Sequence, residues 1–172
     1  MKILIVTPTL DLSKPYTATP FLMQLYKGFQ DEGHELFIIP YSGKETQSFW
    51  WYAYPNPNYL KSTIMEKILS KQKTSYKKNK IPFIPELARL LAKPNLNSLI
   101  EKILSEHEDI AAVLFISIPL NQINGIPTDI KKIRNIPVLY YDLDVPTSLP
   151  SVSGSLFDYY PGANLGEFDA FM

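Results

Sequence analysis

The chain predicts an α/β fold: a three-layer sandwich with a mainly parallel sheet and helices on both faces. Three observations carry this. The first forty residues read as strand, helix, strand; apolar runs and helical periodicities then alternate to the end; and glycine or proline closes several of the runs. With 172 residues the chain is long enough for one complete hydrophobic core.

Ile3 to Val6 is an apolar, mostly β-branched run, suited to a buried parallel strand. Thr7-Pro8-Thr9 ends it, because proline donates nothing to a ladder. After a polar loop, Phe21, Leu25 and Phe29, with Leu22 beside them, mark one face of a helix. Thr19 suits its N-cap and Pro20 its first turn. Gly33 falls where a left-handed residue closes a helix. Leu36-Phe37-Ile38-Ile39 is the second strand, stopped by Pro40. The handedness of crossovers makes the two strands parallel neighbours.

The aromatic stretch FWWYAYPNPNY reads as a short edge strand running into an exposed loop. Thr63 and Glu66 form a capping box ahead of a helix face of Ile64, Met65, Ile68 and Leu69. Pro85 opens a short helix through Leu87, Leu90 and Leu91. A separate, clearer helix carries Leu96, Leu99, Ile100, Ile103 and Leu104. Ala111 to Ile118 is a strand, Thr128 caps a helix with Ile130 and Ile133, and Pro137 to Tyr141 is a strand leading into Asp142-Leu143-Asp144. Phe168 to Met172 begins one more. No internal repeat or linker marks a second domain, so 1–172 is one unit. FDAFM ends inside an apolar run, as expected of a piece of a longer protein or of a chain lacking its partner domain.

Composition narrows the function. Seventeen basic residues balance seventeen acids, so no nucleic acid is expected as partner. The absence of cysteine excludes disulfides, Cys-ligated zinc and thiol catalysis, and fits a reducing, cytoplasmic setting. MKILIVTPTL is too short for a membrane span and has no small-residue cleavage site. Eleven tyrosines supply flat faces with polar tips, useful in a polar binding cleft.

Ligands of an open parallel sheet sit beyond the carboxyl ends of its strands, which singles out loops 7–19, 117–125 and 142–148. The first has no G-x-G-x-x-G, which disfavours a dinucleotide. Its Thr9, Tyr16, Thr17 and Thr19, ahead of a helix N-terminus, can hold a phosphate or a sugar hydroxyl, or form an ordinary loop. Ser117 and Tyr52 join them as binding candidates. Asp142 is the candidate catalytic group, with Asp144 beside it on the same face of a strand end. They serve as base and sugar-hydroxyl acceptor, or as a loop cap and a solvated acid. Two carboxylates are too few for a metal site, so neither metal nor cofactor is expected. His34 and His107 sit at helix-to-strand corners, at the other end of the sheet, which argues against a Ser-His-Asp hydrolase. Thr7-Pro8-Thr9 also supplies neither the phosphate cradle of a flavodoxin-like domain nor the acid cluster of a response regulator.

The lysine-rich stretch Lys71–Lys80 is a solvated surface, or a peripheral contact to anionic lipid or a phosphorylated acceptor. Of Trp50 and Trp51, at least one should stand away from the core, since strand neighbours point to opposite faces. Acceptor stacking or an interdomain contact is the preferred use, over membrane anchoring.

MKILIVTPTL, a helix, then GHELFIIP resembles the start of GT-B-fold glycosyltransferases, above all the family 4 (group 1) retaining enzymes. Those open with a strand, a loop often rich in glycine, a helix ending in GHEV-like residues, and a second strand. Gly33-His34-Glu35-Leu36 fills that slot. VLYYDLDVP is similar to the segment that ends a strand in their cleft, often with a histidine, and GEFDAFM to the strand before their V-x-S-x-x motif. Two departures stand out: Thr17-Ala18-Thr19-Pro20 replaces the glycine pair of the first loop, and Asp142 takes the histidine's place.

The resemblance implies a Rossmann-like, acceptor-binding N-terminal half of a GT-B fold. Its partner would be a C-terminal half that binds the nucleotide-sugar donor, which these residues do not contain. It implies transfer of a sugar to a saccharide, lipid or protein acceptor, with Asp142 as an acid/base or positioning group. This half alone is expected to be inactive. The alternative is a stand-alone Rossmann-like binding or interaction domain without chemistry.

Overall fold

Among the described residues, nine principal elements follow in chain order: β1 (Lys2–Thr7), α1 (Thr19–Asp31), β2 (Glu35–Pro40), β3 (Tyr52–Ala53), α2 (Ile84–Glu106), β4 (Ile110–Ile116), α3 (Ile126–Ile133), β5 (Val138–Tyr141) and β6 (Ala170–Phe171). They belong to a computed structural model that describes residues 1–10, 19–61, 63, 84–143, 160 and 162–172. The strands form one sheet in the order β3-β2-β1-β4-β5-β6, and every neighbouring pair is parallel. This is a Rossmann-like α/β arrangement. The order of strand addition reverses between β1 and β4, which opens a crevice at their carboxyl ends.

Alternation along β1 explains the layers. Leu4 and Val6 face one way and pack with Phe37, Ile39, Ile100 and Ile103 beneath α2 and α3. Ile3 and Ile5 face the other way and pack with Leu22 and Tyr26 of α1. A strand buried on both faces must be apolar throughout, as the LIV run is.

The GHE corner has a definite geometry. Gly33 adopts φ +78°, its N–H reaches the Gln30 carbonyl at 2.9 Å, and the His34 N–H reaches the Phe29 carbonyl at 3.0 Å. These are the two bonds of a Schellman motif, and the accompanying side-chain contact is present: the Phe29 and His34 rings lie 6.0 Å apart. The Glu35 N–H then bonds the Met1 carbonyl at 3.0 Å, so the ladder between β1 and β2 starts at once.

Several expectations are corrected. The buried face of α1 centres on Leu22 and Tyr26, while Phe21 is exposed. Tyr26 can go inside because its hydroxyl donates to the Thr7 hydroxyl at 2.5 Å. The two helices expected around Pro85 and Leu96 are one, α2, which runs through Pro94. Proline gives up one helical bond there, but the Asn95 side chain ties the helix to the Pro57 carbonyl and to Asn58. Thr63 is no N-cap: residues 59–61 and 63 are helical, and its hydroxyl donates back to the Tyr59 carbonyl at 2.8 Å. Glu66 and the apolar face from Ile64 lie outside the described residues. Thr128 does not cap α3 either. The cap is Gly125 at φ +82°, whose N–H is taken by the Glu167 carboxylate at 2.7 Å. Ile130 is buried as expected, but Ile133 is exposed.

The strand from Phe168 shortens to Ala170–Phe171 and docks on β5. Asp169 fixes it, accepting from the Val138 N–H at 2.8 Å and from Lys131 at 2.9 Å. Those bonds hold its carboxyl below the usual range. Among the described residues no helix is long and apolar enough to cross a membrane.

Two stability predictions follow from these contacts. A Cβ at Gly33 would meet nothing within 4 Å, so Gly33→Ala carries only the left-handed backbone penalty. It should cost about 1–2 kcal/mol, and Gly33→Asn clearly less, by thermal denaturation. Equal losses from both would mean that packing, not φ, is what the site requires.

Burial pushes the Tyr26 phenol well above its ordinary value, against a small opposing effect of Thr7. A raised phenol favours the folded state below its unfolded value, near 10, and that contribution is lost as pH rises beyond it. Wild type should therefore lose stability above about pH 10 more steeply than Tyr26→Phe. At neutral pH the same substitution should cost roughly 1–2 kcal/mol, by leaving the buried Thr7 hydroxyl without its partner. Parallel denaturant curves at pH 7 and above 10 check both.

Candidate functional site

The carboxyl ends of β1, β4 and β5 bring polar groups together. β1 ends in Thr7, fully buried, whose carbonyl takes the Tyr41 N–H at 2.7 Å. Thr9 follows, half-buried and already engaged by a neighbour. Ser117 follows β4 directly, a non-glycine residue at φ +39°. Left-handed backbone strains such a residue, and two bonds hold it. Its N–H donates to the Tyr141 carbonyl at 2.8 Å, and its hydroxyl accepts the Leu143 N–H at 2.6 Å.

Asp142 follows β5 directly and is only 7% exposed. Its N–H bonds the Met172 carbonyl at 2.9 Å, and its carboxylate accepts the Tyr160 hydroxyl at 2.6 Å. Burial, then the bond to Asp142 and its charge, push the Tyr160 phenol well above its ordinary range. Tyr160 therefore stays protonated and donates. Its bond fixes one carboxylate oxygen of Asp142 in a shielded setting, and a carboxylate so placed is a group of the kind that orients a hydroxyl-bearing ligand. Nearby, Tyr140 donates to the Ile118 carbonyl at 2.7 Å, and Tyr41 to the Gln122 side chain at 2.6 Å.

Thr9, Ser117 and Asp142 thus lie at one end of the sheet. Tyr16, Thr17 and Asp144 lie outside the described residues, as does Lys71–Lys80; Thr19 opens α1. Tyr52 does not join the group: it sits on edge strand β3, stacked on Phe37 at 5.1 Å. A two-residue edge strand places its side chains on the flank of the sheet, not beyond its strand ends. Among the described residues no three His, Cys, Asp or Glu side chains gather as a metal site would need.

Sequence reasoning missed Tyr160, and the chain's richness in tyrosine was its one signal. Both histidines work at the amino ends of the strands. The His34 ring meets the Met1 amino group at 3.4 Å, and His107 meets the Tyr54 hydroxyl at 3.1 Å beside the Phe37 ring. Arg134 closes the carboxyl end of α2, donating to the Leu104 and His107 carbonyls, where a cation also suits the helix dipole.

Of the adjacent tryptophans, Trp51 is buried against Tyr26, edge to face at 5.6 Å, and its indole N–H reaches the Thr46 carbonyl at 2.9 Å. Trp50 is exposed, with the Lys27 ammonium 5.9 Å from its ring. Beside them Phe49 stands entirely in solvent. Compared with known protein families, curated proteins and solved structures, the chain matches no family model, no curated protein and no solved structure.

Proposed function

We propose that the chain is the acceptor-side, Rossmann-like half of a GT-B-type glycosyltransferase. The observation that carries this reading is the buried Asp142 and its bond to the half-buried Tyr160 beyond β5, in a sheet of order β3-β2-β1-β4-β5-β6. The resemblance assigns an acid/base or positioning group to that strand end. A carboxylate held by a neutral donor there can accept from an acceptor hydroxyl as it attacks the sugar. Thr9 and Ser117 line the neighbouring strand ends and supply further polar contacts. The donor nucleotide sugar would be held by the second half of such an enzyme, and the acceptor would be a saccharide, a lipid or a protein.

A second reading, a Rossmann-like binding domain without chemistry, is favoured by one observation. Asp142 is already bonded, and both histidines of the chain lie at the opposite strand ends. In that reading the same polar group binds a ligand and transfers nothing.

Titration calorimetry with UDP-, GDP- and ADP-sugars separates the half-enzyme from a self-sufficient transferase. These 172 residues should bind them weakly or not at all, and micromolar binding of any one would overturn the assignment. In the enzyme completed by a donor-binding half, Asp142→Asn should lower turnover by roughly 10²-fold or more. The melting temperature should hold, because the amide oxygen still accepts from Tyr160. Unchanged turnover would remove Asp142 from the chemistry.

A further inference from the structure

A groove of about 700 Å³ runs along the outer flank of β3 and the amino end of β2. Its walls include Gln30, Gln47, Phe49, Trp50 and Tyr52, and it shares no lining residue with the strand-end group around Asp142. We propose that this groove binds a short neutral oligosaccharide.

The aromatic side chains present the faces such a ligand uses. Tyr52 is 57% exposed and rests its inner face on Phe37 at an interplanar angle of 18°, which fixes the ring and leaves the outer face to solvent. Trp50 is braced at 6.1 Å by Trp51, and Phe49 is fully exposed next to it. The axial C–H bonds of a pyranose carry partial positive charge and settle on the negative face of such a ring. A rigid ring loses little freedom when it is covered.

The polar groups fit the ligand's hydroxyls. Gln30 and Gln47 place exposed amides at the groove, each with two donors and an acceptor, and neither amide is engaged by the described residues. The size falls within the range of small-molecule pockets, roughly 300–1,000 Å³.

Charge selects among ligands. Glu35 lines the groove, and Asp31 and Glu32 flank it in the chain next to Gly33. Lys27 is spent on Asp31, and Lys2 lies between Asp109, at 3.0 Å, and Glu35, at 3.9 Å. The Met1 amino group beside His34 adds a third cation, so the rim is close to balanced and offers an anionic bilayer or an acidic sugar no cluster of positive charge. A neutral saccharide needs none. The site is separate from the strand ends and stands whether or not Asp142 takes part in transfer.

Trp50 and Trp51 are the two tryptophans of the chain and both line the groove, so intrinsic emission reports on it. The test is a fluorescence titration with neutral di- and trisaccharides: cellotriose, maltotriose, chitotriose and galactobiose. At least one should give a saturable change, insensitive to salt. Phe49→Ala, which removes a ring from open solvent and leaves the core untouched, should weaken half-saturation about tenfold, the upper end of one aromatic contact. Tyr52→Ser should do the same, with circular dichroism as the check on its fold. No saturable change with any of the four would overturn the proposal, as would a response that survives both substitutions. So would an emission shift produced by phosphatidylserine vesicles and not by the saccharides. None of these outcomes bears on the nucleotide-sugar calorimetry, which is read by heat and concerns the other end of the sheet.

Discussion

The burial of β1 on both faces is the constraint from which the rest of the molecule follows. Leu4, Ile5 and Val6 are each fully shielded, which requires a helical layer above and another below the sheet. Parallel pairing on both sides forces the connections into crossovers, and α1 and α2 run between β1 and its neighbours in the way those crossovers demand. Once the faces are taken, the ends of the strands and the flanks of the sheet are where a ligand can reach it. The two candidate regions, around Asp142 and along β3, occupy one of each.

The two ends of the sheet use polar residues differently. At the amino ends, Gly33 and His34 complete a helix stop, His107 packs at a tilt against Phe37 and meets the Tyr54 hydroxyl, and Arg134 donates to the Leu104 and His107 carbonyls at the end of α2. Each is explained by the hydrogen bond or ring contact it makes. Gly33-His34-Glu35 therefore needs no catalytic account: glycine takes the left-handed turn, histidine covers Phe29, and glutamate starts the strand. Motif and structure agree there for a local reason, which is also why the motif alone says little about chemistry.

How far the sequence could be read depended on the range of the interactions involved. The strands were legible because short apolar runs bounded by proline or glycine have few other uses. The helix stop at Gly33 was legible because its bonds span only a few residues. Three features depended on distant partners and were not. Tyr26 reads as a residue with a polar tip, and its burial requires Thr7, which arrives from β1. Gly125 reads as a loop glycine, and its role as the cap of α3 is completed by Glu167. Asp142 was legible as a strand-end acid, whereas Tyr160 became its partner only through a contact across 18 positions. Tyr52 was legible as part of a short edge strand, but a two-residue strand carries too little pattern to show that it lies apart from the strand-end group.

The strand-end group differs from the amino-end group in what it contributes to stability. An apolar side chain in place of a buried carboxylate usually leaves a fold as stable or more so, since the charge must be desolvated and then partly compensated. Asp142 is such a carboxylate, 7% exposed, and the Tyr160 phenol that donates to it is a neutral group. Ser117 holds a left-handed backbone that glycine would adopt without strain, and its hydroxyl fixes the amide of Leu143, next to Asp142. Both choices work against stability and both position the same carboxylate. Residues that break local rules without a structural gain collect where a protein does something other than fold. By that criterion the end of β5, and not the histidine of the GHE corner, is where this chain's function is to be sought.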